Sequence, residues 1–225
     1  MKYRDDIDSA LRVSGRRADY CEIRFEETDN TRLTYRGKSL DTIAQTSGLG
    51  GNVRAVRNGG WGFASFNSLD DLDSKVAEAV AQAAAVGGAK TELGEVEPNV
   101  DIVPTHIVND PAEISLDEKK RLMDHYNDLV WSVDGINSAD IVYGDTSRKT
   151  FFGNTDGSYI EQQQVHVISR ISAQARDGSD VQQAGFSLGS QGDYDVVRDL
   201  DDDVVDAAKR AVGLLTAKSI DGSER

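Results

Sequence analysis

Apolar positions along this chain switch from helical spacing to strict alternation and back again, and they do so twice. Tyr3, Ile7, Ala10, Leu11 and Ser14 share one face of a helix, and Gly15 stands where a left-handed cap would end it. From Asp19 to Glu26 the odd positions Cys21, Ile23 and Phe25 point inward, while Tyr20, Glu22, Arg24 and Glu26 point outward. Thr31 to Arg36 alternates in the same way up to Gly37-Lys38, and Leu40, Thr42, Ala44 and Thr46 carry the pattern on. Gly48-Leu49-Gly50-Gly51 reads as a break before a strand over 52–57. Asn58-Gly59-Gly60 is a hairpin turn, because its glycines tolerate positive φ, and residues 61–66 return as a strand. The spacing predicts a helix followed by an antiparallel meander of about five strands, paired in sequence order across Asn58-Gly59.

Ser68, with Asp71 three residues on, resembles a capping box for a helix with Leu69, Leu72, Val76, Val80 and Ala83 on its apolar face, ended by Gly87-Gly88. The second half repeats the layout. Ser115 and Glu118 cap a helix carrying Leu122, Tyr126, Leu129, Val130 and Val133, stopped by Gly135. Strands follow over 140–145 and 149–153, then the Asp156-Gly157 turn and a long strand over 159–176. Along it Val165, Val167, Ser169, Ile171, Ala173 and Ala175 oppose polar residues that include His166, Arg170 and Gln174. Asp177-Gly178 turns the chain back into 181–188. A last helix carries Leu200, Val204, Ala208, Ala211 and Leu215.

Residues 89–113 hold all three prolines and no sustained period, so they read as a connection between two portions, 1–88 and 114–225. The fold class is α+β: antiparallel sheets flanked by helices, with the helix–meander–helix pattern occurring twice. The two halves share this layout without an aligned sequence repeat. Two antiparallel sheets joined through 89–113 are expected.

A net charge of −14 repels phosphate backbones and argues against direct nucleic acid binding; the basic pair Arg16-Arg17 is too short to make a groove. The acidic side is aspartate-heavy, 28 Asp to 11 Glu, which fits either a halophilic source or an ordinary acidic cytosolic protein. No run approaches the roughly 20 apolar residues of a membrane helix, so no membrane is expected. The charged start Met1-Lys2-Tyr3-Arg4 has no apolar signal core behind it, and the single cysteine fits a reducing cytoplasm.

Candidate chemistry is thin. A zinc site needs three or four convergent ligands. His106, His125 and His166 are not at helical ligand spacing, and none pairs with Cys21. His125 reads as an ordinary helix-surface residue. His166, with Gln164, Arg170 and Gln174, lies on a polar strand face that either lines a cleft or simply meets solvent. Cys21 alternates with apolar residues and reads as a buried structural thiol rather than a nucleophile. Asp201-Asp202-Asp203 falls in the first turn of the last helix, where carboxylates offset the helix dipole. Gly48-Leu49-Gly50-Gly51-Asn52 lacks the following helix and lysine of a phosphate loop and reads as a tight inter-strand turn.

Three segments point further. Ala18-Asp19-Tyr20 leads into Glu22-Ile23-Arg24-Phe25-Glu26, and Gly60-Trp61-Gly62-Phe63-Ala64-Ser65 follows. The third is Phe151-Phe152-Gly153-Asn154-Thr155-Asp156-Gly157-Ser158. Together they resemble the N-terminal part of the TldD/PmbA family, metallopeptidases once called modulators of DNA gyrase. The wording is nearer the metal-bearing TldD type than the metal-free PmbA (TldE) type. The resemblance implies a cytoplasmic zinc metallopeptidase, assembled as a homodimer or a TldD–TldE heterodimer, whose enclosed site admits peptides or unfolded proteins. It also implies zinc ligands from an H-E-x-x-x-H helix and a later cysteine. None of these occurs in residues 1–225, so the resemblance assigns no catalytic, cofactor-binding or metal residue here. By this reading the chain is the substrate-cleft and dimerisation portion of such an enzyme. The alternative is a metal-free partner subunit or peptide-binding module. The chain alone is expected to bind no zinc and to be inactive, and to self-associate through a face that a missing half covers. Ser219-Ile220-Asp221-Gly222-Ser223-Glu224-Arg225 reads as a fragment boundary.

Overall fold

The first helix, α1 (Arg4–Ser14), buries Ile7, Ala10, Leu11 and Ser14, the face its spacing predicts, and Gly15 follows with φ +46°. This computed structural model describes residues 1–88, 91 and 93–218, so the Ser219–Arg225 boundary reading lies outside the described residues. Where the sequence suggests about five strands, three long ones form: β1 (Tyr20–Arg36), β2 (Ser39–Arg57) and β3 (Gly60–Phe66). The polar stretches that interrupt the apolar alternation stay in the strands. A ladder needs paired backbone groups, not apolar side chains. Gly48–Gly51 is therefore no turn but part of β2. The predicted hairpin does form: β2 and β3 pair antiparallel from Gly51↔Phe66 to Arg57↔Gly60. Asn58 and Gly59 take φ +50° and +79°, the pair of positive values a tight primed turn requires.

Helix α2 (Leu72–Val86) is entered through a short 3-10 turn at Leu69–Asp71. The Ser68 hydroxyl accepts from the Asp70 amide, one residue earlier than a capping box would place the bond. Residues 100–103, which show no period in the sequence, form β4 (Val100–Val103) and pair parallel to the start of β6. In α3 (Leu116–Trp131) the Ser115 hydroxyl accepts from the Glu118 amide at 3.2 Å, the predicted cap. The predicted pair of strands after it is one, β5 (Ile136–Asn154). Then come β6 (Tyr159–Asp177), β7 (Asp180–Ser190) and α4 (Asp201–Leu214).

The strands join one seven-stranded sheet rather than two, in the order β3-β2-β1-β5-β6-β4, with β7 also on β6. β6 and β7 pair antiparallel from Val167↔Ser190 to Asp177↔Asp180. The class is α+β, with four helices flanking the sheet.

The chain divides into two compact units, residues 1–29, 47–105 and 147–164 in the first, and 30–46, 106–146 and 165 onward in the second. In the first unit α1 and α2 cover one strand face, closing a core of Ile7, Leu11, Cys21, Ile23, Phe25, Val53, Phe66, Val76 and Val80. In the second, Met123 and Tyr126 of α3 and Val204 and Ala208 of α4 cover Leu33, Ile141, Tyr143, Val167 and Ile171. Two residues are more buried than their sequence positions suggest. Glu22, expected outward, is buried with Tyr20 and Arg54 as polar partners. Lys119, absent from the predicted face of α3, is fully buried on it beside Met123.

Candidate functional site

Among the described residues, the helices of each unit cover one face of its strands, and the alternate side chains stand on the other. In the first unit β1 presents Tyr20, Glu22, Arg24 and Glu26 there, the four residues the sequence places outward. They form a tied row. The Tyr20 hydroxyl donates to Glu22 at 2.6 Å, and Glu22 also takes the Arg54 guanidinium of β2. Glu26 accepts from Arg24 at 3.2 Å and lies 3.3 Å from Arg148 of β5. Burial, reinforced by the Glu22 bond, pushes the Tyr20 hydroxyl up to about 12, so it stays a donor at neutral pH. Trp61 and Phe63 of β3 complete this face and remain exposed.

In the second unit that other face carries Ile168, Arg170 and Ser172 of β6, with Gln183, Gly185 and Ser187 of β7 beside them. A polar groove of about 400 Å³ runs along these residues. Gly185 fits because a Cβ there would lie 2.4 Å from the Ile171 carbonyl oxygen. His166 is half-buried in the same strand of β6, one position before Val167 of the core. A larger hollow of about 660 Å³ lies between α3 and the start of α4, lined by Arg121, His125, Tyr126, Tyr194, Arg198 and Asp199, among others. There His125 sits 3.0 Å from Asp201, a pairing across 76 residues that local spacing could not reveal.

The remaining candidates are scattered. His106 is exposed in the segment after β4. Cys21 is buried in the first core, and burial pushes its thiol up to about 12, which removes it as a nucleophile at neutral pH. Asp201, Asp202 and Asp203 occupy the first turn of α4. Among the described residues no three His, Cys, Asp or Glu side chains converge as metal ligands.

Comparison with known proteins fixes the lineage. Residues 21–86 match the model of PmbA/TldA metallopeptidase domain 1, and residues 109–218 match the central domain of the same proteins. The chain belongs to the PmbA/TldD metallopeptidase family. A metalloprotease of Synechocystis is 35% identical over 207 residues, 91% of this chain and 45% of that protein. A metalloprotease of Methanothermobacter thermautotrophicus is 26% identical over 95% of this chain and 47% of its own length. The chain thus spans about half the length of the curated relatives it matches. Its fold is that of a Thermotoga maritima protein described as a modulator of DNA gyrase, with a TM-score of 0.79 at 17% identity over 97% of this chain and 50% of that one. It is also that of TldE from Thermococcus kodakarensis, with a TM-score of 0.74 at 13% identity over 92% of this chain and 47% of that one.

The metal that the family's name implies finds no ligand set among the described residues, and no hydrolytic step is assigned to them. They can offer a surface. That surface has a tied polar row on β1, the exposed Trp61 and Phe63, and a β7 without a charged side chain from Val181 to Ser190. Among the described residues no helix is long and apolar enough to cross a membrane.

Proposed function

We propose that this chain is the N-terminal, substrate-cleft portion of a TldD-like zinc metallopeptidase that processes peptides or unfolded proteins in the cytoplasm. It works there within a homodimer or a TldD–TldE-type heterodimer, without nucleic acid. In this reading residues 1–88 and 114–225 supply the binding walls, and 89–113 link them.

One observation carries the reading. β7 pairs with β6 through an unbroken register and has no charged side chain from Val181 to Ser190. Among the described strands nothing pairs with its outer edge. Such an edge is the template for strand addition, which binds a peptide through its backbone and tolerates many sequences. The polar groove along Arg170, Ser172 and Ser187 gives alternate side chains of the guest a wet place to lie.

The second reading, a metal-free partner subunit of the TldE kind, fits the same surfaces and the same lack of a ligand set. Metal analysis of a chain with the full length of the relatives would separate the two: zinc there supports the peptidase, and its absence supports the partner. The binding reading is tested on this chain directly. Fluorescence anisotropy of a labelled, permanently unfolded polypeptide should rise and saturate as the chain is added. Ser187→Pro, which removes a β7 amide, should weaken the complex at least tenfold. No saturation, or no effect of any β7 proline, would remove strand addition as the mode.

A further inference from the structure

The Gly60-Trp61-Gly62-Phe63 run is explained only in half by the fold. Its glycines are forced by packing. A Cβ on Gly62 would lie 1.9 Å from the Ala79 carbonyl oxygen of α2, and one on Gly60 would lie 2.4 Å from that of Ala83. Its aromatics point the other way, with Trp61 42% and Phe63 53% exposed. Burying a large apolar side chain contributes about 1.5–3 kcal/mol, so folding gains little from leaving these two in water.

Beside Phe63 lies a hollow of about 350 Å³ walled by Arg24, Glu26 and Asn52, with Gly50 adding no side chain to it. The charges around it do not cancel. Arg24 and Arg148 share Glu26, while Arg54 takes Glu22. Three guanidiniums against two carboxylates leave one positive charge, on a chain whose net charge is −14. An apolar platform with a cationic rim is complementary to an aromatic side chain with an acidic neighbour.

We propose that this hollow is a side-chain subsite on the first unit, where Phe63 and Trp61 hold an aromatic residue of an extended peptide. Arg24 or Arg148 holds the acidic residue next to it. The subsite rests on the peptide-binding reading and gives it a preference that backbone pairing alone lacks.

The test uses blocked pentapeptides, Gly-Asp-Phe-Asp-Gly against versions with Ala for Phe or Lys for Asp, competing with a labelled unfolded polypeptide. The Phe/Asp peptide should compete at least tenfold better than either relative. Phe63→Ala and Trp61→Ala should each erase that preference while the unfolded polypeptide still binds. Both side chains are exposed, so circular dichroism should be unchanged. A parallel measurement uses Trp131→Phe, which leaves Trp61 as the only tryptophan; its emission should shift with the Phe/Asp peptide alone. Equal competition by all three peptides, or a preference that survives Phe63→Ala, overturns the subsite and leaves general peptide binding standing. Failure to bind any peptide overturns both.

Discussion

The two units use the same plan, helices on one face of antiparallel strands, around cores of different chemistry. The first is dry and aromatic. Tyr3 meets Phe25 and Phe151 edge-on at centroid distances of 5.3 and 4.9 Å, and Phe25 stacks on Phe151 at 4.9 Å. The second buries a charge pair. The Lys119 ammonium, 1% exposed, lies 2.7 Å from the carboxylate of Asp145, 6% exposed, and 3.4 Å from the Thr31 hydroxyl. Asp145 also accepts from the Tyr143 hydroxyl at 2.6 Å, and burial pushes that phenol far above its ordinary range. A dry core resists substitution by shape. A paired one resists by charge balance, so the two should fail in different ways.

The largest effect is expected from breaking the pair. Asp145→Ala strands a buried ammonium and should cost about 3–5 kcal/mol in urea denaturation. The double variant Lys119→Met with Asp145→Leu removes both charges and should recover most of that loss, since a buried pair is costly to split rather than strongly stabilising. Equal destabilisation by the single and double variants would show that packing, not charge, governs the second core.

In the first unit the corresponding break is steric. Gly62→Ala puts a methyl group into the backbone of α2 and should cost about 1–3 kcal/mol, the range for overpacking. Gly88→Ala, with nothing within 4 Å of the added Cβ, is the control and should change little. If both variants are silent, α2 sits on β3 more loosely than the 1.9 Å approach at Gly62 indicates.

These contrasts also mark what the sequence discloses. The faces of α1, α2 and α4, the Ser115 cap and the Asn58-Gly59 hairpin follow from periodicity and turn chemistry, because each is a local decision. Lys119 lies at 119, 123, 126 and 130 in step with Met123, Tyr126 and Val130, so its place on the buried stripe is present in the spacing. Its partner Asp145 comes from a strand, and nothing local announces it. Glu22 stands on the outward face as alternation places it, but its burial depends on Tyr20 and on Arg54, 32 residues away, and the second is not announced locally. Polar strand middles hid the continuity of β1, β2 and β5, since alternation reports burial and not backbone pairing. The exposed Trp61 and Phe63 are visible in the motif, but their exposure emerges only once the glycines between them are packed on α2.

A smaller contrast lies within the second core. The Tyr126 hydroxyl donates to the Val197 carbonyl at 2.8 Å and accepts from the Leu200 amide at 3.3 Å. The Tyr194 hydroxyl is buried with no hydrogen-bond partner among the described residues. Tyr126→Phe should therefore cost about 1–1.5 kcal/mol, while Tyr194→Phe should be neutral or slightly stabilising. Equal losses would mean that Tyr194 is served by water.

The single cysteine probes the first core through its alkaline behaviour. Cys21, on β1, is wholly buried in the first core, and desolvation, aided by the neighbouring Glu22 charge, raises its thiol from about 9 to about 12. A group whose folded value lies above its unfolded one binds its proton more tightly in the native state. Its contribution to stability is intact below pH 9 and is lost as pH climbs from there toward 12. Cys21→Ala should therefore flatten the alkaline fall in stability between pH 9 and 12 relative to the parent, though Tyr20 and Tyr194, also raised to about 12, keep part of the slope. At pH 8 the native thiol should react with a disulfide reagent only as fast as the first unit opens, and at the full rate of a free thiol in denaturant. The two lines of evidence bear on the same buried thiol. Fast labelling of the native chain, or an alkaline slope unaltered by Cys21→Ala, would mean that the first core is not sealed at Cys21.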